Sequence, residues 1–354
     1  MVILMNKYEA PKKRLIRKTP PSIIKDGKAI FGSFENSFED LNLLEVKGQC
    51  RCLPNFCNRL RLTEWEAFEL DFKEGTIVCA VYRNMCLNGM GILVYHDKVA
   101  NKIYSYRTLT MPTKVKMSNT LLESESYISL KKFELRIKND FKNRRAKIIA
   151  NIYNKANGRL KMDIDINQVS NSSVVSIPLG NNKPLYSEKA LFKAKGLLSF
   201  NDKEYDIKDN SMAIIDDHKA YYPYKTHYDW LTTMGTIDYH GRRCSFGFNL
   251  TKNQSVDECC YNENNIWIDD EFHYLPPVDF IKNKDTWIIK DEYDYVNLEF
   301  KIANKFNMPM HALILDIKYL LPFGTINGYL RCSNGEKIIL NNCIGIAEDK
   351  TTRL

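Results

Sequence analysis

The sequence predicts an all-β protein made of two halves, each closed as a barrel or a sandwich. Apolar and polar residues alternate with a period of two along nearly the whole chain, and long amphipathic helices are nearly absent. The chain has 354 residues, of which 44% are hydrophobic, so it can bury more than one core. Many short strands with one apolar face imply antiparallel sheets that close or pair to bury that face.

The clearest alternation lies between residues 133 and 166. Apolar residues recur at every second position over 133–137, 146–152 and 160–166, with mostly polar residues between them. The joint before the third segment contains Asn157-Gly158, a dipeptide typical of tight hairpins. These segments therefore predict a meander of three half-buried strands. Similar runs occur at 76–82, 91–96, 212–215, 245–250, 287–289, 295–300, 311–317 and 325–330.

A cluster of Pro, Gly and Asn at 178–184 interrupts the strand pattern and divides the chain almost evenly, so it is the expected domain joint. The predicted organisation is a basic N-terminal arm over 1–30, a first barrel over 31–182 and a second barrel over 183–354. The arm is expected to lie outside both barrels.

The formal net charge of +8 is concentrated in the arm, because residues 1–28 hold eight Lys and Arg against two acidic residues. A nucleic-acid groove needs basic residues spread over a face, so this distribution predicts no nucleic-acid partner. A solvated extension is the favoured interpretation, and an arm that binds phosphates or a membrane surface is the alternative.

The chain lacks an apolar run near the roughly 18 residues that a spanning helix needs, and its apolar start is too short for a signal peptide. We therefore expect no integral membrane segment and a cytoplasmic location. Ten cysteines in such a chain are expected to be reduced thiols. The group Cys50, Cys52 and Cys57 lacks the paired spacing of zinc knuckles, so we expect neither a metal nor another cofactor.

The segment 216–230 is the most unusual one, with two histidines, four tyrosines, one tryptophan and three aspartates in fifteen residues. A carboxyl group among aromatic rings loses water, so its pKa rises and it can deliver a proton near neutral pH. Asp217 is the candidate acid, with His218 or His227 as its partner or as a base. The alternative is structural, with packed aromatic rings and an aspartate that fixes a turn. The candidate ligand-binding residues here are Tyr222, Tyr224, Tyr228 and Trp230.

A second constellation consists of 247–250 and 262–265. Asn249, Glu263 and Asn264 combine amides and a carboxylate with apolar strand residues, which can orient polar groups of a ligand at a barrel mouth. Equally, these side chains can cap backbone groups in short turns.

The order of these motifs resembles a known family. It is carried by 65–82, 217–230, Gly241-Arg242 leading into 247–250, the Asn262-Glu263-Asn264 turn, and the ending from 323–325 to 345–348. Together they resemble the bacterial family called domain of unknown function 2804 (DUF2804). That family is similar to AttH-like proteins and carotenoid hydratases, so the resemblance implies two tandem lipocalin-like antiparallel barrels.

In the hydratase relatives, acidic and aromatic residues protonate an isoprenoid double bond. The resemblance therefore implies a role for Asp217 together with Tyr224, His227, Tyr228 and Trp230. This sequence departs from the family pattern at His218 and Tyr228, where the family tends to have tryptophan.

Three classes of function remain open at this point. The first is binding of an apolar or amphipathic small molecule, such as a lipid or isoprenoid, in the cavity of the second barrel. The second is a hydratase, isomerase or cyclase that acts by protonation at Asp217. The third is an interaction protein that uses the arm or the basic hairpin around 138–147, although a solvated hairpin tip explains those charges adequately.

Overall fold

A computed structural model describes residues 13–50, 53–312 and 315–353. The chain forms two compact units. The first unit is residues 17–222, and the second unit is the described residues up to Ile16 together with those from Pro223 onward. Each unit is built on one curled antiparallel sheet, which confirms the predicted all-β class. None of the helices in the described part of the chain is long and apolar enough to cross a bilayer.

The larger sheet runs in the order β8-β7-β6-β5-β16-β15-β13-β12-β11-β10-β9, and β14 pairs with β15 and β4. The strands up to Ala220 are β1 (Ile16–Arg17), β2 (Ile24–Lys25), β3 (Lys28–Ala29), β4 (Gly32–Phe34), β5 (Thr63–Phe72), β6 (Gly75–Asn84), β7 (Asn88–Asp97), β8 (Lys102–Thr110), β9 (Val115–Lys116), β10 (Ser124–Leu130), β11 (Phe133–Asp140), β12 (Arg145–Asn154), β13 (Gly158–Gln168), β14 (Ser173–Pro178), β15 (Pro184–Phe200) and β16 (Lys203–Ala220).

The second unit's sheet runs β20-β19-β18-β17-β26-β25-β23-β22-β21, and β24 pairs with β25. Its strands are β17 (Lys225–Tyr239), β18 (Arg242–Lys252), β19 (Asn265–Ile268), β20 (Glu271–Tyr274), β21 (Asp279–Lys282), β22 (Thr286–Lys290), β23 (Val296–Asn307), β24 (Met310–Ala312), β25 (Leu315–Arg331) and β26 (Lys337–Arg353). Short 3-10 helices lie at Leu43–Glu45, Asn55–Leu60, Pro112–Lys114 and Phe141–Asn143.

The predicted meander is present as β11, β12 and β13, which pair in consecutive antiparallel register. Along β13 every second side chain is buried, because successive residues of a strand point to opposite faces. The hairpin between β12 and β13 turns at Asn157-Gly158, and Gly158 has a φ of +80° that favours glycine. The alternation seen in the sequence therefore marks which face of the sheet is turned toward the core.

Each sheet bends at a glycine in one of its long strands. Gly196 in β15 has a φ of +143°, and a Cβ there would lie 2.1 Å from the Asp163 carbonyl oxygen. Gly328 in β25 has a φ of +126°, and a Cβ there would lie 2.1 Å from the Asn297 carbonyl oxygen. The strand register shifts at both positions, so these bulges help the sheets to curl around their cores.

The boundary between the units differs from the expected joint at 178–184. In the structure that stretch is a turn between β14 and β15, closed by a hydrogen bond from the Leu179 amide to the Lys183 carbonyl oxygen. Strands β15 and β16 pair with β13 and β5, so they complete the first sheet rather than begin a second one. The chain passes to the second unit only after Tyr222.

The expectation of a solvated arm over 1–30 also differs from the structure. Residues 1–12 lie outside the described residues, but Arg14, Ile23 and Ile24 are buried. The two isoleucines belong to a cluster of apolar side chains that closes over one end of the first sheet. This cluster, here called the N-terminal cover, consists of Ile23, Ile24, Phe34, Phe38, Leu41, Leu43, Val46, Leu62, Val174, Tyr186 and Tyr221. Hydrophobic burial therefore draws Ile23 and Ile24 of the arm into the fold.

Candidate functional site

Three carboxyl groups lie side by side on the inner face of the first sheet. Strand pairing places Glu188 of β15 opposite Asp217 of β16, and Asp217 opposite Glu66 of β5. Lys219 lies on the same face, two residues after Asp217. These four side chains, here called the enclosed row, are at most 2% exposed. Ionisable groups are rarely buried to this extent, so such a row is a candidate for function.

The enclosed row is held by hydrogen bonds at both of its ends. The hydroxyl groups of Tyr186 and Ser37 each donate to Glu188 at 2.6 Å. At the other end Glu66 accepts hydrogen bonds from three side chains, which are those of Ser118, Ser126 and Asn139. The phenol ring of Tyr186 packs edge-on against Phe38 of the N-terminal cover. The segment that precedes β5 therefore covers the Glu188 end of the row.

Asp217 occupies the centre of this row. Its Oδ2 accepts a hydrogen bond from the Lys219 ammonium, while Oδ1 has no hydrogen-bond partner among the described residues. Burial raises the pKa of Asp217 to about 7; the positive charge of Lys219 opposes this rise and the negative charge of Glu66 adds to it. Burial also raises the pKa of Glu188. Three carboxyl groups thus share one ammonium, which favours a bound proton in the row near neutral pH.

His218, the proposed partner of Asp217, points to the opposite face of β16. Its ring stacks on Trp65 with centroids 4.7 Å apart and planes 7° apart, and Tyr222 stacks on Trp65 at 5.9 Å. The Nε2 atom of His218 lies 2.7 Å from Lys189 Nζ, which also donates to Asp216 at 2.7 Å. Since adjacent residues of a strand face opposite sides, Asp217 and His218 cannot form a hydrogen-bonded acid–base pair.

The structure brings Trp230, Asn249, Glu263 and Asn264 together in the second unit. The Trp230 indole nitrogen donates to Asn249 Oδ1 at 2.6 Å, and the Asn249 amide donates to the Glu263 carbonyl oxygen at 3.0 Å. Asn264 accepts from the Thr251 amide and donates to the Pro276 carbonyl oxygen. All four predicted residues are buried. Their amides bond to the backbone, which is what the capping interpretation describes.

Tyr228 takes part in a second group of polar side chains, on the strand face that also carries Trp230. The Tyr228 hydroxyl donates to Glu348 Oε2 at 2.7 Å, and the Tyr319 hydroxyl donates to Glu348 Oε1. The ammonium of Lys350 lies 5.7 Å and 5.8 Å from the centroids of the two tyrosine rings. Burial lowers the pKa of Lys350, and the negative charge of Glu348 opposes that effect. Tyr228, Tyr319, Glu348 and Lys350 are here called the tyrosine–glutamate cluster.

Sequence reasoning missed three members of this cluster. Tyr319 lies on β25, whereas Glu348 and Lys350 lie on β26, and the pairing of Tyr228 and Tyr319 with Lys350 brings them together. The only local signal was the alternation of Ile346, Glu348 and Lys350, which places these side chains on one face of a strand. In contrast to the enclosed row, Tyr228, Glu348 and Lys350 are half-buried and so reach solvent.

His227 belongs to a different group, on the opposite face of β17 from Tyr228. Its ring nitrogens lie 2.9 Å from Thr351 Oγ1 and 3.4 Å from Asp229 Oδ2, and its hydrogen bond with Asp229 raises its pKa. His227, Asp229 and Asp349 have the ligand types of a metal site. However, the Lys282 ammonium lies 2.5 Å from Asp229 and 2.6 Å from Asp349, so both carboxylates are already engaged in ion pairs with this cation.

The remaining predicted residues are dispersed. Tyr224 is 64% exposed, and no described contact joins it to the other candidates. Among the cysteines, Cys52 lies outside the described residues, and Cys50 donates to the Cys57 carbonyl oxygen at 3.3 Å. The segment 216–230 is thus divided: Asp217, His218 and Tyr222 belong to the first unit, and the residues from Tyr224 onward belong to the second.

Two solved structures share this arrangement of strands. CghA with Sch210972 matches with a TM-score of 0.54 and 9% identity, covering 95% of this chain and 97% of that chain. A putative AttH from Nitrosomonas europaea matches with a TM-score of 0.51 and 9% identity, covering 82% of this chain and 93% of that chain. At this identity the likeness shows the fold alone, which is that of AttH-like barrel proteins. The predicted lipocalin-like barrel fold is therefore confirmed.

A third structure, kievitone hydratase from Nectria haematococca, matches with a lower TM-score of 0.47 at 9% identity, covering 84% of this chain and 90% of that chain. No curated protein matches this sequence. The family model for the domain of unknown function DUF2804 matches residues 14–354, so the family that the motifs indicated is confirmed. The chain belongs to the DUF2804 family.

Proposed function

We propose that this chain binds an apolar or amphipathic small molecule, of the lipid or isoprenoid-like class, at the tyrosine–glutamate cluster. The observation that carries the proposal is the hydrogen bonding of Glu348, a half-buried carboxylate that accepts hydrogen bonds from the hydroxyl groups of two tyrosines. Ligand sites typically combine aromatic surface with a few convergent polar groups. Here the half-buried ring of Tyr228 supplies apolar surface, and Glu348 and Lys350 supply the polar groups, while the buried Tyr319 holds Glu348 in place.

The comparisons are consistent with a small-molecule ligand without identifying it. CghA, which shares the fold, has been solved with Sch210972. The net charge of +8 provides no spread basic face, so nucleic acid is not part of the proposal. A cytoplasmic location is part of the proposal.

Titration with cis-parinaric acid, a fluorescent amphipathic fatty acid, tests the proposal. We expect saturable binding, and we expect Tyr228→Ala to weaken it about tenfold or more because ring contact and a hydrogen-bond donor are both lost. Tyr153→Ala is the matched control, since Tyr153 is an exposed tyrosine beside Lys132 and Arg159 in the first unit. Absence of saturable binding, or equal weakening in both variants, would refute the proposed site. If binding is saturable, native mass spectrometry of protein from its own host would identify the natural ligand.

A second candidate function is proton delivery by Asp217 to an isoprenoid-like double bond, as in a hydratase, isomerase or cyclase. It is favoured by the pKa of Asp217, which burial raises to about 7, and by the unpartnered Oδ1 atom. Against it, Asp217 is fully buried, so a substrate can reach it only if the side chains that cover the enclosed row move. We therefore place binding at the tyrosine–glutamate cluster first.

Incubation of the protein with geraniol in deuterium oxide tests this second function. A deuterated Asp217 carboxyl would transfer deuterium to carbon, which mass spectrometry detects as a gain in product mass. Asp217→Asn keeps the shape of the side chain but removes the transferable proton, so deuteration should fall by roughly 100-fold. Unchanged deuteration in the variant, or none in the wild type, would exclude Asp217 as the acid.

A further inference from the structure

We propose that the tyrosine–glutamate cluster is also catalytic, with enolisable ketones as substrates: Glu348 removes the proton beside the carbonyl group and Tyr228 donates its own proton to the carbonyl oxygen. This inference rests on the proposed function, because it uses the same site for binding. It adds an acid, a base and a chemical class of substrate.

The hydrogen bonds of Glu348 place a base and an acid at one point. Oε2 accepts from Tyr228 at 2.7 Å, while Oε1 accepts from Tyr319. If the Tyr228 hydroxyl turns to a ligand carbonyl, Oε2 loses one donor and becomes a stronger acceptor. The α-carbon is one bond from the carbonyl carbon, so both groups reach their reacting atoms from neighbouring positions. General acid–base catalysis requires this kind of contact.

Strand pairing fixes the positions of these groups. Glu348 is paired with Trp230, and Lys350 with Tyr228, so Glu348 lies diagonally across from Tyr228 on the same face. On the other side of β26, Tyr319 pairs with Lys350. Three adjacent strands therefore hold the acid, the base and the second tyrosine, and this gives a more rigid arrangement than a loop would.

Lys350 supplies a positive charge beside both tyrosine rings. Its ammonium lies over the rings of Tyr228 and Tyr319, at 5.7 Å and 5.8 Å from their centroids. A partly desolvated cation stabilises a nearby phenolate or enolate more strongly than an exposed one does. The second tyrosine keeps its hydrogen bond to Glu348 and so holds the base in place.

The proposed step is balanced without an oxidant or a second reactant. The α-proton passes to Glu348 Oε2, and the electron pair of the broken C–H bond forms a C=C bond. The π electrons of the carbonyl group move to its oxygen, which takes the proton of Tyr228. The products are an enol, a protonated Glu348 and a Tyr228 phenolate. Return of the Glu348 proton to the phenolate regenerates the site.

The tyrosine–carboxylate pair formed by Tyr329 and Asp294, also in the second unit, lacks this geometry. Tyr329 donates to Asp294, which also forms a salt bridge to Arg331 at 2.7 Å. Because Asp294 already pairs with the Arg331 guanidinium, its carboxylate is held in a structural ion pair. Tyr329 is therefore a suitable control, because removing its hydroxyl perturbs a similar hydrogen bond outside the cluster.

The experiment uses 2-tetralone, an apolar ring system with an enolisable ketone, in deuterium oxide. Nuclear magnetic resonance measures the exchange of its α-hydrogens with solvent. We expect the wild-type chain to accelerate exchange above the buffer rate, Glu348→Gln to lower the enzymatic rate about 100-fold, and Tyr228→Phe to lower it about tenfold. Tyr329→Phe should stay within about twofold of the wild type.

Binding of cis-parinaric acid, measured on the same samples, separates the two proposals. Exchange at the buffer rate with intact cis-parinaric acid binding would overturn the catalytic inference and leave the proposed function standing. Loss of both would overturn both. Equal loss of exchange in Glu348→Gln and Tyr329→Phe would also overturn the inference, because it would show a general structural effect.

Discussion

Each unit has a glutamate that accepts a hydrogen bond from tyrosine, but the two glutamates differ in their exposure to solvent. Glu188 in the first unit accepts from Tyr186 and is fully buried, and its neighbours Asp217 and Lys219 are buried with it. Glu348 in the second unit accepts from two tyrosines and is half-buried. The chemical groups are similar, but only in the second unit do the glutamate and one of its tyrosines, Tyr228, reach solvent. Accessibility, more than the size of a pKa shift, therefore decides which group can meet a ligand.

The enclosed row and the tyrosine–glutamate cluster also differ in how far water solvates their charges. In the enclosed row, three carboxyl groups and one ammonium have little contact with water, so each charge depends on the others. In the tyrosine–glutamate cluster, water can replace part of a lost interaction. We therefore expect substitutions in the row to affect folding first, and substitutions in the cluster to affect binding first.

The largest expected effect is that of Lys219→Met. Without the ammonium, the carboxyl groups of the enclosed row are left uncompensated, and the free energy of unfolding at pH 8 should fall by about 3–5 kcal/mol. Lys350→Met is the matched control in the tyrosine–glutamate cluster and should lower the free energy of unfolding by less than about 1 kcal/mol. Urea denaturation monitored by tryptophan fluorescence measures both. Similar losses of unfolding free energy in the two variants would contradict the expected difference between the enclosed row and the tyrosine–glutamate cluster.

Arg14→Met tests whether a buried charge in the second unit also contributes strongly to the free energy of unfolding. Arg14 belongs to the second unit, is 4% exposed, and donates to Asn262 Oδ1 at 3.0 Å and to the Asn264 carbonyl oxygen at 2.7 Å. Its loss should lower the free energy of unfolding by about 2–3 kcal/mol, since charged hydrogen bonds are lost in a buried place. Arg17→Met, at an exposed position, should stay within about 0.5 kcal/mol. Equal effects in denaturant titrations would show that Arg14 is not a structural anchor.

Asp217→Asn sharpens the comparison through pH. The pKa of Asp217 rises from 3.8 to about 7 on folding, so between these values the native state holds a proton that the unfolded chain has released. Stability therefore falls as pH rises through this window and levels off above it. Between pH 5 and pH 8 the wild type should lose roughly 2 kcal/mol more than the variant does. Parallel pH profiles of unfolding free energy would contradict an elevated pKa.

Local pattern predicted much of the fold, because alternation reports which face of a strand is buried. It indicated β11, β12 and β13 and the turn at Gly158. It could not show that Asp217 pairs with Glu66, since that contact joins strands about 150 residues apart in the sequence. For the same reason the expected joint fell before β15 rather than after β16.

The candidate sites show the same limit of local information. The sequence predicts that Asp217 loses water among aromatic rings and that its pKa rises; in the structure burial is the main cause of the rise, and the carboxyl groups of Glu66 and Glu188 add to it. His218 was paired with Asp217 by adjacency in sequence, although adjacent strand residues face opposite ways. Glu348 was found only through the pairing of β17, β25 and β26. Strand register decides which residues share a site on a sheet, and proximity in the sequence does not predict that register.

The smallest expected effect is that of His227→Gln, at the partly exposed end of β17. Hydrogen bonding with Asp229 raises the pKa of His227 above 6.5, so its stabilising contribution is present below that pH and is lost as pH rises through the folded pKa. Because the side chain is 42% exposed, solvent screens the pair and the variant should lose less than about 0.5 kcal/mol at pH 6. At pH 8.5 the two proteins should unfold at the same urea concentration. A loss that persists at pH 8.5 would show that packing, rather than the charge on His227, stabilises this end of the sheet.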